Sequence, residues 1–219
     1  MEKIYLDYAA TTPIDKEVTN VMRPYFGDKF GNPGSLHSFG QEAIKAVDES
    51  REKIAKAIGA DFREIIFTGS ATEANNLALR GTIKAAHLFS DGTSRTKTIG
   101  RPHRIIISDI EHESILETCR DLENEGVEII YLPVDKSGFV DLKKLKESLN
   151  ERTILVSIMY ANNEIGTIQD ISEISKIINN FKKEKRNSET YPLFHTDAVQ
   201  AFQFLDCDVD KLGVDLMTL

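Results

Sequence analysis

Four short stretches carry residues whose types and spacing could do chemistry. In "IIFTGSATEANNLALRG", Ser70 and Glu73 stand three apart at the head of a run with helical period, which is the spacing of a capping box. The free amides at the start of such a helix, beside the hydroxyls of Ser70 and Thr72, would make a cradle for a phosphate. In "SDIEHESILETC", His112 follows an apolar run, and an imidazole placed there can stack on a flat ring. Glu111 and Glu113 flank it, but no second histidine follows at ligand spacing, so the sequence does not point to a metal centre. In "FHTDAVQA", Asp197 comes straight after an apolar run, where a part-buried carboxylate needs a cationic partner. A protonated pyridine nitrogen would serve, and Gln200, three residues on, reaches the same face if the chain turns helical. In "SIMYANNEIGTIQD", Asn162 and Asn163 offer amides and Gly166 permits a tight turn.

Each stretch also has a plainer explanation: a capped helix, a surface histidine, a carboxylate capping a helix, an ordinary loop. The joint argument is stronger. All four follow predicted strands, at the edge where open α/β sheets bind ligands.

The elements that must position these residues are legible as alternating apolar runs and helical periods, the pattern of an α/β fold with a mostly parallel sheet and flanking helices. Strands are expected at Glu64–Thr68, Arg104–Ser108, Val127–Leu132, Thr153–Met159, Leu193–Thr196 and Asp215–Leu219. The spacing of Ile44, Val47, Ile54 and Ile58 predicts a helix over Ser38–Ile58, stopped by Gly59. Asp170 and Glu173 would cap a second helix with the stripe Ile171, Ile174, Ile178 and Phe181, which ends in the solvated turn "KKEKRNSET". Asp141 would cap a third, turning Leu142, Leu145 and Leu149 inward. The helix after Ser70 is expected to include Leu77 in its apolar face. Residues 1–40 read as an irregular arm, with glycines at 27, 31, 34 and 40 and prolines at 24 and 33, and residues 41–219 as the main body. His87 and His103 bracket a polar loop over Ser90–His103.

A chain of 219 residues with 41% hydrophobic and 28% charged residues can bury a core, and its net charge of −8 argues against nucleic acid or an anionic membrane surface as the main partner. No apolar stretch approaches the roughly 20 residues of a membrane span, and the N-terminus lacks a basic region followed by an apolar one, so a cytoplasmic setting is expected. Cys119 and Cys207 stand without Cys-x-x-Cys spacing and read as free structural thiols rather than a disulfide or zinc pair.

The motifs "YLDYAATTP", "FGNPGSLHSFG", "FTGSATEANN", "EHESILETC", "ILVSIMYANNEIGTIQDI" and "HTDAVQ", in this order from Ile4 to Leu219, resemble the cysteine desulfurases, in the class V aminotransferase branch of fold-type I pyridoxal-phosphate enzymes. The resemblance implies the N-terminal portion of that family's large cofactor-binding domain, incomplete at its C-terminus. It implies that Ala71 and Thr72 hold the cofactor phosphate, His112 stacks on the pyridine ring and Asp197 pairs with the ring nitrogen. Gln200 would bond the phenolic oxygen, and Asn162 would sit near the substrate carboxylate and a cofactor oxygen. "TGSATE" departs from the family's Ser-Gly order, and the loop over Ser90–His103 is longer than usual. The Ser-x-His-Lys segment that supplies the Schiff-base lysine, the later carboxylate-binding arginine and the persulfide cysteine are not in this sequence, so it holds no catalytic residue of the family's kind.

The activity implied is removal of sulfur from L-cysteine, giving alanine and a persulfide for iron–sulfur cluster or thiocofactor assembly. A truncated or split chain, inactive alone, is expected to need its C-terminal half as a separate chain. Homo- or hetero-oligomers and iron–sulfur scaffold or sulfur-acceptor partners are also expected. A catalytically dead pyridoxal-phosphate-binding scaffold, or a selenocysteine lyase or other class V relative, are the alternatives.

Overall fold

The computed structural model describes residues 3–88, 102–184 and 191–219. Of the polar loop expected over Ser90–His103 and the solvated turn expected over 182–190, residues 90–101 and 185–190 lie outside them, whereas Lys182, Lys183 and Glu184 belong to a helix rather than a turn. The chain divides into two compact units, Met1–Ile66 and Phe67–Leu219.

In the first unit, helix α1 spans Lys16–Met22, with the Asp15 carboxylate accepting the Glu17 amide, and a 3-10 turn follows at Arg23–Phe26. The expected irregular arm therefore contains a helix. Helix α2 spans Ser38–Ile58, as its apolar spacing predicts, and Gly59 ends it at φ +71°, a left-handed conformation open to glycine at no steric cost. Ile58 is buried, while Ile44, Val47 and Ile54 are half-buried.

The predicted strand Glu64–Thr68 does not form. Asp61 and Glu64 close a capping box around a 3-10 turn over Phe62–Glu64, and residues 65–68 continue without a ladder. The side chain of Ile66 is 69% exposed. A β-branched run becomes a strand only where a second backbone takes up its amides and carbonyls, and no described strand lies beside this one.

The second unit begins with α3 (Ala71–Leu88) and then alternates: β1 (Arg104–Ser108), α4 (Glu113–Asn124), β2 (Glu128–Leu132), α5 (Leu142–Ser148), β3 (Thr153–Ser157), α6 (Ile171–Glu184), β4 (Leu193–Asp197), α7 (Val209–Leu212) and β5 (Leu216–Thr218). The sheet is parallel throughout, in the order β2-β1-β3-β4-β5. Side chains two apart share a face. Ile105 and Ile107 pack with Leu79, Ile83, Ile115 and Leu122 of α3 and α4, whereas Ile106, Val156 and Phe194 pack with Leu145, Ile171, Ile174 and Ile178 of α5 and α6. Both faces are thus covered, which explains why the strands read as continuous apolar runs.

Helices α5 and α6 start where their caps predict: Asp141 accepts the amides of Lys143 and Lys144, and Asp170 accepts that of Glu173. On α3 the buried stripe is Asn75, Leu79, Thr82, Ile83 and Ala86, and Leu77, expected inside, is 50% exposed. The chain runs from β1 outward to β2 and then returns to the far side of β1 for β3. The strand order therefore reverses between β1 and β3, and in open sheets of this kind ligands bind beyond the carboxyl ends of the strands at such a reversal.

Candidate active site

Three of the four stretches singled out in the sequence lie at the carboxyl ends of the strands. His112 follows β1, Asn162 follows β3, and Asp197 is the last residue of β4. The fourth lies at the start of α3. There Ser70 Oγ accepts the Glu73 amide at 3.2 Å, but the Glu73 carboxylate reaches back to the Gly69 amide at 2.6 Å, one residue earlier than in a capping box closed on Ser70. The amides of Ala71 and Thr72 are the first-turn donors that neither of these bonds uses. Ala71 is half-buried and Thr72 exposed.

One helical turn beyond Ala71, Asn75 is 1% exposed. Its Nδ2 donates to Asp197 Oδ2 at 2.8 Å and to Ser114 Oγ at 2.9 Å. Asp197, 7% exposed, also accepts the Val199 amide on Oδ1 at 3.1 Å. Among the described residues no cationic side chain pairs with it; its bonded partners are neutral donors. Ser114 Oγ lies 2.9 Å from His112 Nδ1, which also accepts the Ser114 amide at 3.1 Å and so caps α4. The remainder of the imidazole is exposed.

Asn162 is a tied residue. Its Oδ1 accepts the amides of Glu164 and Ile165, its Nδ2 donates to Ile110 O at 3.0 Å, and its own amide donates to Thr167 O. Gly166 turns the loop at φ +74°. Gln200 is exposed in the turns that follow Asp197, where the amides of Ala201 and Phe202 both donate to Ala198 O, so the condition that the chain turn helical there is not met.

Glu111 was not a candidate from the sequence. It is buried, with Oε1 accepting Ser108 Oγ at 2.5 Å and the Met159 amide at 2.9 Å, and Oε2 has no partner. Burial is the largest influence on this carboxyl. The charge of Asp197 adds to it, and together they push it up to about 8 from an ordinary 4.5, so it carries its proton at neutral pH. His195, two residues before Asp197, is fully buried between Ser157 Oγ (2.8 Å from Nδ1) and Thr218 Oγ1 (3.1 Å from Nε2), and burial lowers it to about 4. Asn75, Ser114 and Glu111 escaped sequence reading, although a polar Asn inside the apolar stripe of α3 was a usable signal.

Cys119 lies inside α4 with no exposed surface, and burial pushes its thiol up to about 12. Cys207 is also buried and raised by desolvation. Neither presents a thiolate. Among the described residues no group of three or more His, Cys, Asp or Glu could hold a metal, and no helix is long and apolar enough to cross a membrane.

Fold and site together define a doubly wound α/β unit that presents a buried acid, an imidazole and a helix start on one sheet edge. The chain belongs to the aminotransferase class-V family, whose model matches residues 4–219. It is 50% identical over 217 residues to the cysteine desulfurase IscS of Dictyoglomus turgidum, an alignment that covers 99% of this chain and 50% of the relative. Among solved structures, a NifS-like protein superposes with a TM-score of 0.84 at 37% identity, covering 98% of this chain and 54% of that one. A structure of SspA in complex with cysteine superposes with a TM-score of 0.83 at 36% identity, covering 98% and 56%. The chain spans about half the length of the relatives it matches.

Proposed function

We propose that this chain supplies the cofactor-gripping part of a pyridoxal-phosphate-dependent cysteine desulfurase, in which sulfur leaves L-cysteine as a persulfide and alanine remains. Residues 1–40 would be an arm, and residues 41–219 the N-terminal portion of the large domain. The observation that carries the reading is Asp197: a carboxylate 7% exposed, at the end of a central strand, held by an amide side chain and a backbone amide. Neutral donors orient a buried carboxylate but do not offset its charge, so the site is built for a cationic ligand atom. A protonated pyridine nitrogen is such an atom. The donor set fits the rest of the cofactor: the amides of Ala71 and Thr72 with the Thr72 hydroxyl for phosphate, His112 for the ring face and Gln200 for the phenolic oxygen.

Pyridoxal phosphate, when bound, supplies an electron sink for charge developing at the substrate's α-carbon. The part of Asp197 is to keep the ring nitrogen protonated, and that of His112 to exclude water from one ring face. Asn162 would meet the substrate carboxylate or a cofactor oxygen only by exchanging one of its present bonds. Cysteine as substrate is supported by the names of the relatives and by the cysteine-bound SspA neighbour. A C-terminal half as a separate chain, oligomerisation and delivery of sulfur to iron–sulfur scaffold proteins are part of the same proposal.

The test has two stages. Titration of the purified chain with pyridoxal phosphate, followed by absorbance, should show saturable binding that Asp197→Ala weakens by about tenfold or more, the equivalent of one charged hydrogen bond. The chain completed with the remaining length of the Dictyoglomus turgidum relative, fused or added separately, should release alanine from L-cysteine, whereas the chain alone should not. Identical titrations of the two proteins, or a completed protein that leaves cysteine untouched, would overturn the proposal.

A further inference from the structure

The two ligand-facing groups of this site, Asp197 and His112, lie on different strand ends, yet a continuous path of hydrogen bonds joins them. It runs Asp197 Oδ2, Asn75 Nδ2, Ser114 Oγ, His112 Nδ1, with distances of 2.8, 2.9 and 2.9 Å. The direction of each bond follows from donor and acceptor inventories. Asn75 Nδ2 has two hydrogens and spends one on each neighbour. Its Oδ1 is left buried without a partner. The reverse amide orientation would set that oxygen against the Asp197 carboxylate, so the assignment is forced. His112 Nδ1 already accepts the Ser114 amide at 3.1 Å and therefore carries no proton, which makes the Ser114 hydroxyl the donor to it. The imidazole proton is then on Nε2.

We propose that Asn75 and Ser114 are positioning residues that couple the acid to the imidazole, fixing the orientation of Asp197 and the Nε2–H tautomer of His112 together. The inference rests on the cofactor site described above and deepens it, because the group that pairs with the ring nitrogen and the group that lies against the ring respond as one. Both intermediaries are enclosed, Asn75 at 1% and Ser114 at 8% exposure, so water does not compete for their bonds. An orphaned buried carbonyl is destabilising, typically by about 1–3 kcal/mol. A helix that needed only core packing at position 75 would be more stable with an apolar residue there.

The experiment needs no bound cofactor. In two-bond nitrogen–hydrogen correlation spectra of the histidine-labelled chain, above the titration range of the imidazole, His112 should show an acceptor-type Nδ1 and a protonated Nε2. A protonated Nδ1 in the wild-type chain overturns the proposal. Ser114→Ala keeps the backbone amide that holds the Nε2–H tautomer but removes the hydroxyl donor, so it should move the His112 Nδ1 signal without changing the tautomer, and Ser114→Thr, which keeps a hydroxyl, should restore the wild-type pattern. Asp197→Asn should move the His112 ring signals in the wild-type background, and that response should be lost in Asn75→Ala. An equal response in both backgrounds, or a Ser114→Ala spectrum identical to wild type, overturns the coupling. If Asn75→Ala fails to fold, the wild-type tautomer and the Ser114 pair still decide. Pyridoxal phosphate titration of the same samples separates the two claims. An intact relay without cofactor binding sinks the cofactor reading alone, and normal binding with an unresponsive His112 sinks the relay alone.

Discussion

Glu111→Gln gives the sharpest physical test of the site. The carboxyl of Glu111 accepts two hydrogen bonds on Oε1, from Ser108 and the Met159 amide, and a glutamine carbonyl can accept both without moving. What glutamine lacks is a titration. Between the ordinary 4.5 and the folded value of about 8, the folded chain holds a proton that the unfolded chain has released. By linkage the folded chain loses stability as pH rises through that window, and the loss is complete above the folded value. At about 1.4 kcal/mol per pH unit, the separation sets a ceiling of ~5 kcal/mol. Asp197 and Cys119 are the titratable groups that face Glu111, and both are unchanged in the variant. Urea unfolding followed by circular dichroism at a series of pH values from 5 to 9 should therefore give a stability difference, variant minus wild type, that grows through the window and levels off near its upper end. The acid titration of His195 occurs in both proteins and cancels in the difference. Parallel curves would mean that Glu111 ionises as an exposed carboxylate does, and would refute the account of a neutral acid beside Asp197.

Other outcomes follow from the same structure. His195 is lowered from 6.5 to about 4, so the stability its neutral form contributes is full above 6.5 and falls as pH drops through that range, by up to ~3 kcal/mol. His195→Asn should flatten this acid limb in calorimetric melting between pH 4 and 7. Gly138→Ala should cost about 1–3 kcal/mol in chemical denaturation, because φ is +82° and the new Cβ would meet Thr167 Oγ1 at 2.7 Å. Leu145→Ala removes the fully buried anchor of α5 and should cost about 2–5 kcal/mol, read from the same denaturation midpoints.

Helices α2, α5 and α6 were legible because everything that defines them is local: an apolar spacing, an aspartate cap on α5 and α6, a glycine stop on α2. The run Glu64–Thr68 looked like the other strands, but among the described residues no strand pairs with it, a property its own residues do not encode. Leu77 was misplaced because the buried stripe of α3 passes through a polar residue, and a hydrophobicity pattern discards Asn75 in favour of the leucine two positions on. Asp197 could be anticipated from its place at the end of an apolar strand. Its partner could not, since Asn75 lies 122 positions away, just as Glu111 lies 48 from the amide it accepts. The chemistry-bearing residues were visible one at a time, whereas the bonds that orient them exist only once the sheet has brought the strand ends together.

The loops after β1 and β3 each insert a side chain into the other's main chain: Asn162 donates to the carbonyl of Ile110, and Glu111 accepts the amide of Met159. Each loop is thereby measured against its neighbour. Adding or removing a single residue between Ser108 and Ile110 would put both latches out of register at once, and one between Met159 and Asn162 would break the Asn162 latch. The tolerance of this rim to insertions should be close to nil, and a graft of either loop from a relative should succeed only if its opposite number is transplanted with it.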